Sequence, residues 1–198
     1  MRVLFFLSVL SFLASCAGSA PDSTPQTTTD IPQKNVSLDT ATMAALSNIL
    51  SAYEGLRDAL VEYDSVQVDT LAKQLSARME GISFAGISDT SVSNRLTGQL
   101  AAMAIATNSV TSEKMLEGKK RRFSDLSNAF YALLQQAQFD QSVIYRQTCP
   151  MAFNDSEQAS WVSRSAEIIN PYLGRKHPKY ASGMLHCGEI SDSVRFIK

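Results

Sequence analysis

Leu46-Ser47-Asn48-Ile49-Leu50-Ser51-Ala52-Tyr53-Glu54-Gly55-Leu56-Arg57-Asp58-Ala59-Leu60 decides the fold class. Its large apolar residues, Leu46, Ile49, Leu50, Tyr53, Leu56 and Leu60, recur at steps of three and four, so they share one face of a helix. That helix is expected to start at Ser37 or Asp39 and to run to about Tyr63. Outward from it the same period returns. Asp64 or Ser65 can cap a second helix with the stripe Val68, Leu71, Ala72, Leu75 and Met79, and Gly81 can end it. Val92, Leu96, Leu100 and Met103 mark a third, and Met115, Phe123, Leu126, Phe130, Leu133, Leu134 and Ala137 a fourth. Four amphipathic helices joined by short connections predict an all-α fold, an antiparallel four-helix bundle over residues 37–139.

Residues 140–198 differ in character. Pro150, Pro171 and Pro178 break any long helix, and Trp161, Cys149 and Cys187 all fall here. Short extended pieces are expected at Ser142-Val143-Ile144-Tyr145 and from Val194 to Ile197, within an otherwise irregular C-terminal cap on the bundle. Bundle and cap together make one helical domain, 37–198.

The N-terminus belongs to export. Arg2 precedes the apolar run Val3 to Phe12, too short to stay in a bilayer as a permanent helix, and Leu13-Ala14-Ser15-Cys16 follows. This order resembles the signal and lipobox of bacterial lipoproteins, which implies cleavage after residue 15 and acylation of Cys16. Residues 16–36 hold little to bury and read as a flexible tether. The expected location is the bacterial cell envelope, lipid-anchored, facing the periplasm or on the outer membrane.

Charge narrows the function. With 18 Lys+Arg against 19 Asp+Glu the chain has a net charge of -1, which offers no concentrated positive face for nucleic acid. The run Lys119-Lys120-Arg121-Arg122 sits among Glu113, Glu117 and Asp125 and reads as a solvated helix face. Met43, Met79, Met103 and Met115 read as core filler. No Gly-rich phosphate loop, paired-carboxylate site or nucleophile elbow is present in the sequence, so no enzyme activity is expected.

Chemistry concentrates in the cap. If the segment around Cys149 is extended, Cys149 and Met151 point to the same side, while Met184 and Cys187 share a face on a helical turn. Bringing the two segments together gathers two thiols and two thioethers, with His186 beside them. Such soft donors favour Cu(I). Zinc is the alternative if Cys149, Cys187 and His186 converge with a fourth ligand. With Cys16 lipidated, the remaining two cysteines of an exported chain equally suit a Cys149–Cys187 disulfide that staples a structural or protein-interaction module. A catalytic thiol is the third reading.

Cys149-Pro150-Met151-Ala152-Phe153, Trp161-Val162-Ser163, Ile169-Asn170-Pro171-Tyr172-Leu173-Gly174 and Met184-Leu185-His186-Cys187-Gly188 resemble the signature of an uncharacterised bacterial domain family. That family occurs as secreted or lipid-anchored proteins and at the C-terminus of periplasmic adaptor subunits of copper and silver efflux systems. Arg122-Phe123 and Leu126-Ser127 fit its helical half. The resemblance implies an envelope partner in metal efflux. Two departures stand out: an insertion, Arg175 to Gly183, and Arg146-Gln147-Thr148 where some relatives place histidine.

Overall fold

The computed structural model describes residue 36 and residues 38–196. The expected signal peptide, the expected acylation site Cys16 and nearly all of the expected tether lie outside the described residues. Four helices come first, α1 Thr40–Val61, α2 Ser65–Met79, α3 Thr90–Ser112 and α4 Leu116–Gln136. Each of the first three opens on an aspartate. Asp39 accepts from the Thr42 N–H, Asp64 from Gln67, and Asp89 from Ser91 and Val92, so first-turn donors that lack an intrahelical partner are satisfied locally. Gly81, with φ of 81°, lets the chain turn away after α2.

The apolar stripes meet in one core. Leu46, Ile49, Leu50, Tyr53, Leu56 and Leu60 of α1 are fully buried, as are Phe123, Leu126, Phe130, Leu133 and Leu134 of α4. Tyr53 stacks on Phe123 at 5.0 Å and tilts against Phe130 at 5.2 Å. Met43, Met79 and Met103 are core residues, but Met115 is 73% exposed and only precedes α4. Among the described residues no helix is long and apolar enough to cross a membrane.

The all-α expectation is overturned by the C-terminal third. Residues 144–194 carry a three-stranded antiparallel sheet, β1 Ile144–Phe153, β2 Glu157–Ser163 and β3 Glu189–Val194, in the order β2-β1-β3. The protein is therefore mixed α/β. Pro150 breaks a helix, as expected, but it is accommodated in β1, where the β1–β2 register shifts between Cys149 and Phe153, so its missing N–H costs no regular rung. β2 hides its period because Ala159 to Ser163 are all buried. A strand covered on both faces does not alternate.

Side chains of α1 also close the free edge of β2. The Val162 N–H donates to the Tyr53 hydroxyl at 3.2 Å and the Arg164 N–H to Glu54 Oε1 at 3.0 Å. Tyr53 in turn donates to Ser127 Oγ, 2.6 Å away, and Ser127 donates to the Phe123 carbonyl at 2.7 Å. This buried relay ties β2, α1 and α4 together and leaves no hydroxyl unused. Tyr53→Phe keeps the ring but orphans the Val162 N–H, and it is expected to cost about 1–2 kcal/mol, read from the shift in a urea unfolding midpoint. An unchanged midpoint would show that the relay contributes nothing.

The basic run is not a solvated face at its first two positions. Lys119 and Lys120 are each 2% exposed. Lys119 Nζ bonds Asp69 at 2.5 Å and the Val110 carbonyl at 3.3 Å, linking α4 to α2 and α3. Only Arg121 and Arg122 reach outward, to Glu157, and to Glu113 and Asp125 respectively.

Candidate functional site

Cys149 lies on the central strand β1 opposite Ala159 and is fully buried. Cys187 arrives from 38 residues away at the end of a chain of tight turns, in which the Leu185 N–H donates to the Ser182 carbonyl and the Cys187 N–H to that of Met184. Two residues fix that arrival. Gly188, with φ of 140°, passes so close to β1 that an added Cβ would lie 3.0 Å from the Thr148 carbonyl oxygen and from the Trp161 ring. Asn170, fully buried, donates from Nδ2 to the Cys187 carbonyl at 2.8 Å, while its Oδ1 accepts from the N–H groups of Tyr172 (2.8 Å) and Leu173 (3.0 Å). The Asn-Pro corner thus grips both the cysteine turn and its own continuation.

The Cys149 and Cys187 sulfurs stand 2.6 Å apart, within reach of a covalent bond. Both are free cysteines in the structure. Burial, and then the neighbouring Cys149, push the Cys187 thiol up to about 12. At neutral pH Cys187 is consequently held as a thiol, which must shed its proton before the sulfur can attack. A metal must displace that proton before it can bind.

The other expected ligands divide. Met151, two residues beyond Cys149 in the bulged part of β1, and Met184, whose carbonyl accepts from Cys187, are both part-buried and packed against the core. His186 is exposed and its Nδ1 bonds the Ile168 carbonyl at 2.8 Å, which requires the proton on Nδ1. Among the described residues no group of three or more His, Cys, Asp or Glu is placed to hold a metal ion. His186 therefore does not join the two cysteines in the set that a zinc site needs.

The insertion forms its own corner. His177 stacks on Tyr180 at 5.0 Å, meets the edge of Tyr63 and accepts the Lys179 N–H on Nδ1. The charge pattern gave no sign of what lies below it. Lys120 Nζ sits 3.6 Å from the Tyr63 ring centroid and donates to the Tyr172 carbonyl at 2.5 Å. Desolvation lowers its pKa to about 8. Tyr172 in turn wedges between Phe153 and Trp161, so one buried cation braces the α1–α2 turn against the aromatic floor beneath the cysteine turn.

No curated protein and no solved structure matches the chain. A family model matches residues 49–142, which cover most of α1 and all of α2 to α4 and stop short of Cys149. The cysteine signature and the connection with efflux adaptors fall outside that match. The family model is that of DUF3347, described as a protein of unknown function, and residues 49–142 are similar to it.

Proposed function

We propose that this chain is a lipid-anchored protein of the bacterial cell envelope whose reduced Cys149 and Cys187 bind a soft metal, Cu(I), with thioether help from Met184 and Met151. The observation that carries the reading is the convergence of two thiols from positions 38 residues apart, each with a methionine within three residues. Cu(I) accepts soft donors and a low coordination number, so two sulfurs suffice and the thioethers add to them. The sulfurs must part to admit an ion, and Cys187, part-buried on a turn, is less confined than Cys149, fully buried on the central strand. An envelope partner in metal efflux belongs to the same proposal.

A second reading takes the pair as a purely structural disulfide that staples an interaction module. The short sulfur separation and the raised Cys187 thiol favour it. Closing a 38-residue loop stabilises by about 3–4 kcal/mol in the chain-entropy description.

Competition for Cu(I) between the reduced protein and a chromophoric chelator separates the two. The metal reading expects one equivalent to be retained, a loss of about tenfold or more in affinity for Cys149→Ser or Cys187→Ser, and smaller losses for Met151→Leu and Met184→Leu, which keep volume and delete only sulfur. If both methionine variants and both serine variants compete no differently from the parent, or the parent retains no copper, the structural reading replaces it.

A further inference from the structure

We propose that the cysteine pair is a thiol–disulfide exchange site worked from one side, with Cys187 the sulfur that external reagents attack and Cys149 the resolving sulfur. Cys149 is fully buried on the central strand, opposite Ala159 of β2, and Pro150 follows it. Cys187 is part-buried, ends a run of turns and follows the exposed His186. Access decides which sulfur of such a pair meets a partner, because exchange needs the attacking sulfur in line with the bond it breaks. The 2.6 Å separation then lets the second step occur within the fold, without moving β1.

The chemistry balances with an external disulfide, RS–SR, as oxidant. Cys187 gives up its proton and attacks one sulfur of RS–SR; a Cys187–SR bond forms, and the expelled thiolate takes up a proton and leaves as RSH. Cys149 then loses its proton and attacks Cys187 Sγ. The Cys149–Cys187 bond forms, and the second RS group leaves as RSH with that proton. Two protein thiols are oxidised by two electrons and one external disulfide is reduced to two thiols. Reduction runs in reverse, with an external thiolate entering at Cys187 and Cys149 leaving.

Oxidation removes both thiolates from the donor set, so exchange at Cys187 switches soft-metal binding off. That consequence rests on the metal reading above, whereas the polarity of exchange rests on burial and sulfur geometry alone.

The test uses the full chain with Cys16→Ala, so that no third thiol reacts, combined with Cys149→Ser or Cys187→Ser, and an aromatic disulfide as probe. Under native conditions the Cys149→Ser protein, which keeps Cys187, is expected to react about tenfold or more faster than the Cys187→Ser protein, and both should react alike in denaturant. Cys149→Ala repeats the first arm with an apolar residue in the buried site, which guards against partial unfolding by serine. Intact-mass measurement should find the probe on Cys187. Equal native rates, or faster labelling of Cys149, overturn the proposal. If the asymmetry holds while the reduced parent fails to retain Cu(I), the exchange site stands and the metal reading alone falls.

Discussion

Asn170→Ala is expected to destabilise the protein by about 3–5 kcal/mol, more than any other single change near the cysteines. The side chain satisfies three backbone groups at once: the N–H groups of Tyr172 and Leu173 and the carbonyl of Cys187. Asn170, Tyr172 and Leu173 are each 2% exposed or less, so water cannot replace what alanine removes. Each buried group left without a partner costs about 1–3 kcal/mol; the two N–H groups are stranded outright, and the part-buried Cys187 carbonyl loses its partner with them. Asn170→Asp gives a second handle. It keeps the acceptor for Tyr172 and Leu173 but turns the Cys187 contact into carboxylate against carbonyl, so its defect should shrink as pH falls and the acid regains a proton to donate. Urea unfolding midpoints at pH 5 and pH 8 measure both effects. A loss below about 1 kcal/mol for Asn170→Ala would mean that the corner relaxes freely and does not fix Cys187.

The helical half was legible because its physics is local. Leu46 to Leu60 repeat at helical spacing, Asp39 and Asp64 are caps by type and position, and Met43, Met79 and Met103 proved to be core. The strands were not legible, for reasons specific to each. β1 carries a proline and a bulge, β2 is buried along Ala159 to Ser163, and β3 exposes Glu189 to Asp192 in an unbroken run. None shows the two-residue alternation by which a half-buried strand announces itself. Only the start of β1 and the end of β3 overlap the extended pieces expected at residues 142–145 and 194–197.

The candidate site was read more fully than the strands that build it. Cys149 and Cys187 meet, as an even pair of cysteines invites. His186, expected beside them, turns to the Ile168 carbonyl, because neighbours along a turn project in different directions. Asn170 and Tyr172 are a turn and a packing residue by type, but their grip on Cys187 and Lys120 is a tertiary fact. Lys119 and Lys120 show the limit most plainly. Two charged residues followed by two arginines look solvated from sequence, whereas a carboxylate from α2 and a carbonyl from the cap make burial of those two tolerable.

Lys120 also makes the stability depend on pH in a direction opposite to the familiar salt-bridge case. Its ammonium lies over the Tyr63 ring and donates to the Tyr172 carbonyl, with Glu117 a charge that favours protonation; burial, and after it the lysine's own charge, lowers His177. Removal from water outweighs Glu117, so the folded pKa falls from 10.5 to about 8. Below about pH 8 the lysine is charged in both states and the folded protein bears the whole desolvation cost. Between about 8 and 10.5 the unfolded chain holds a proton that the folded chain has released, so this group's contribution to stability rises with pH. The rise from pH 7.5 to 10 should be about 2 kcal/mol. Cys187 and Tyr63 work against it. Both have raised pKa values, so the unfolded chain ionises first and their contributions fall as pH climbs above about 9 to 10. Lys120→Met isolates the lysine, since the opposing groups remain in both proteins. The variant strands the Tyr172 carbonyl but carries no charge to desolvate, so near pH 7 the two losses offset. By pH 10 the parent's amine still donates to that carbonyl and no longer pays for burial. The parent's advantage, taken from urea unfolding at matched pH, should widen by about 2 kcal/mol across that range. A gap that stays flat from pH 7.5 to 10 would mean that ring and carbonyl hold the ammonium charged throughout.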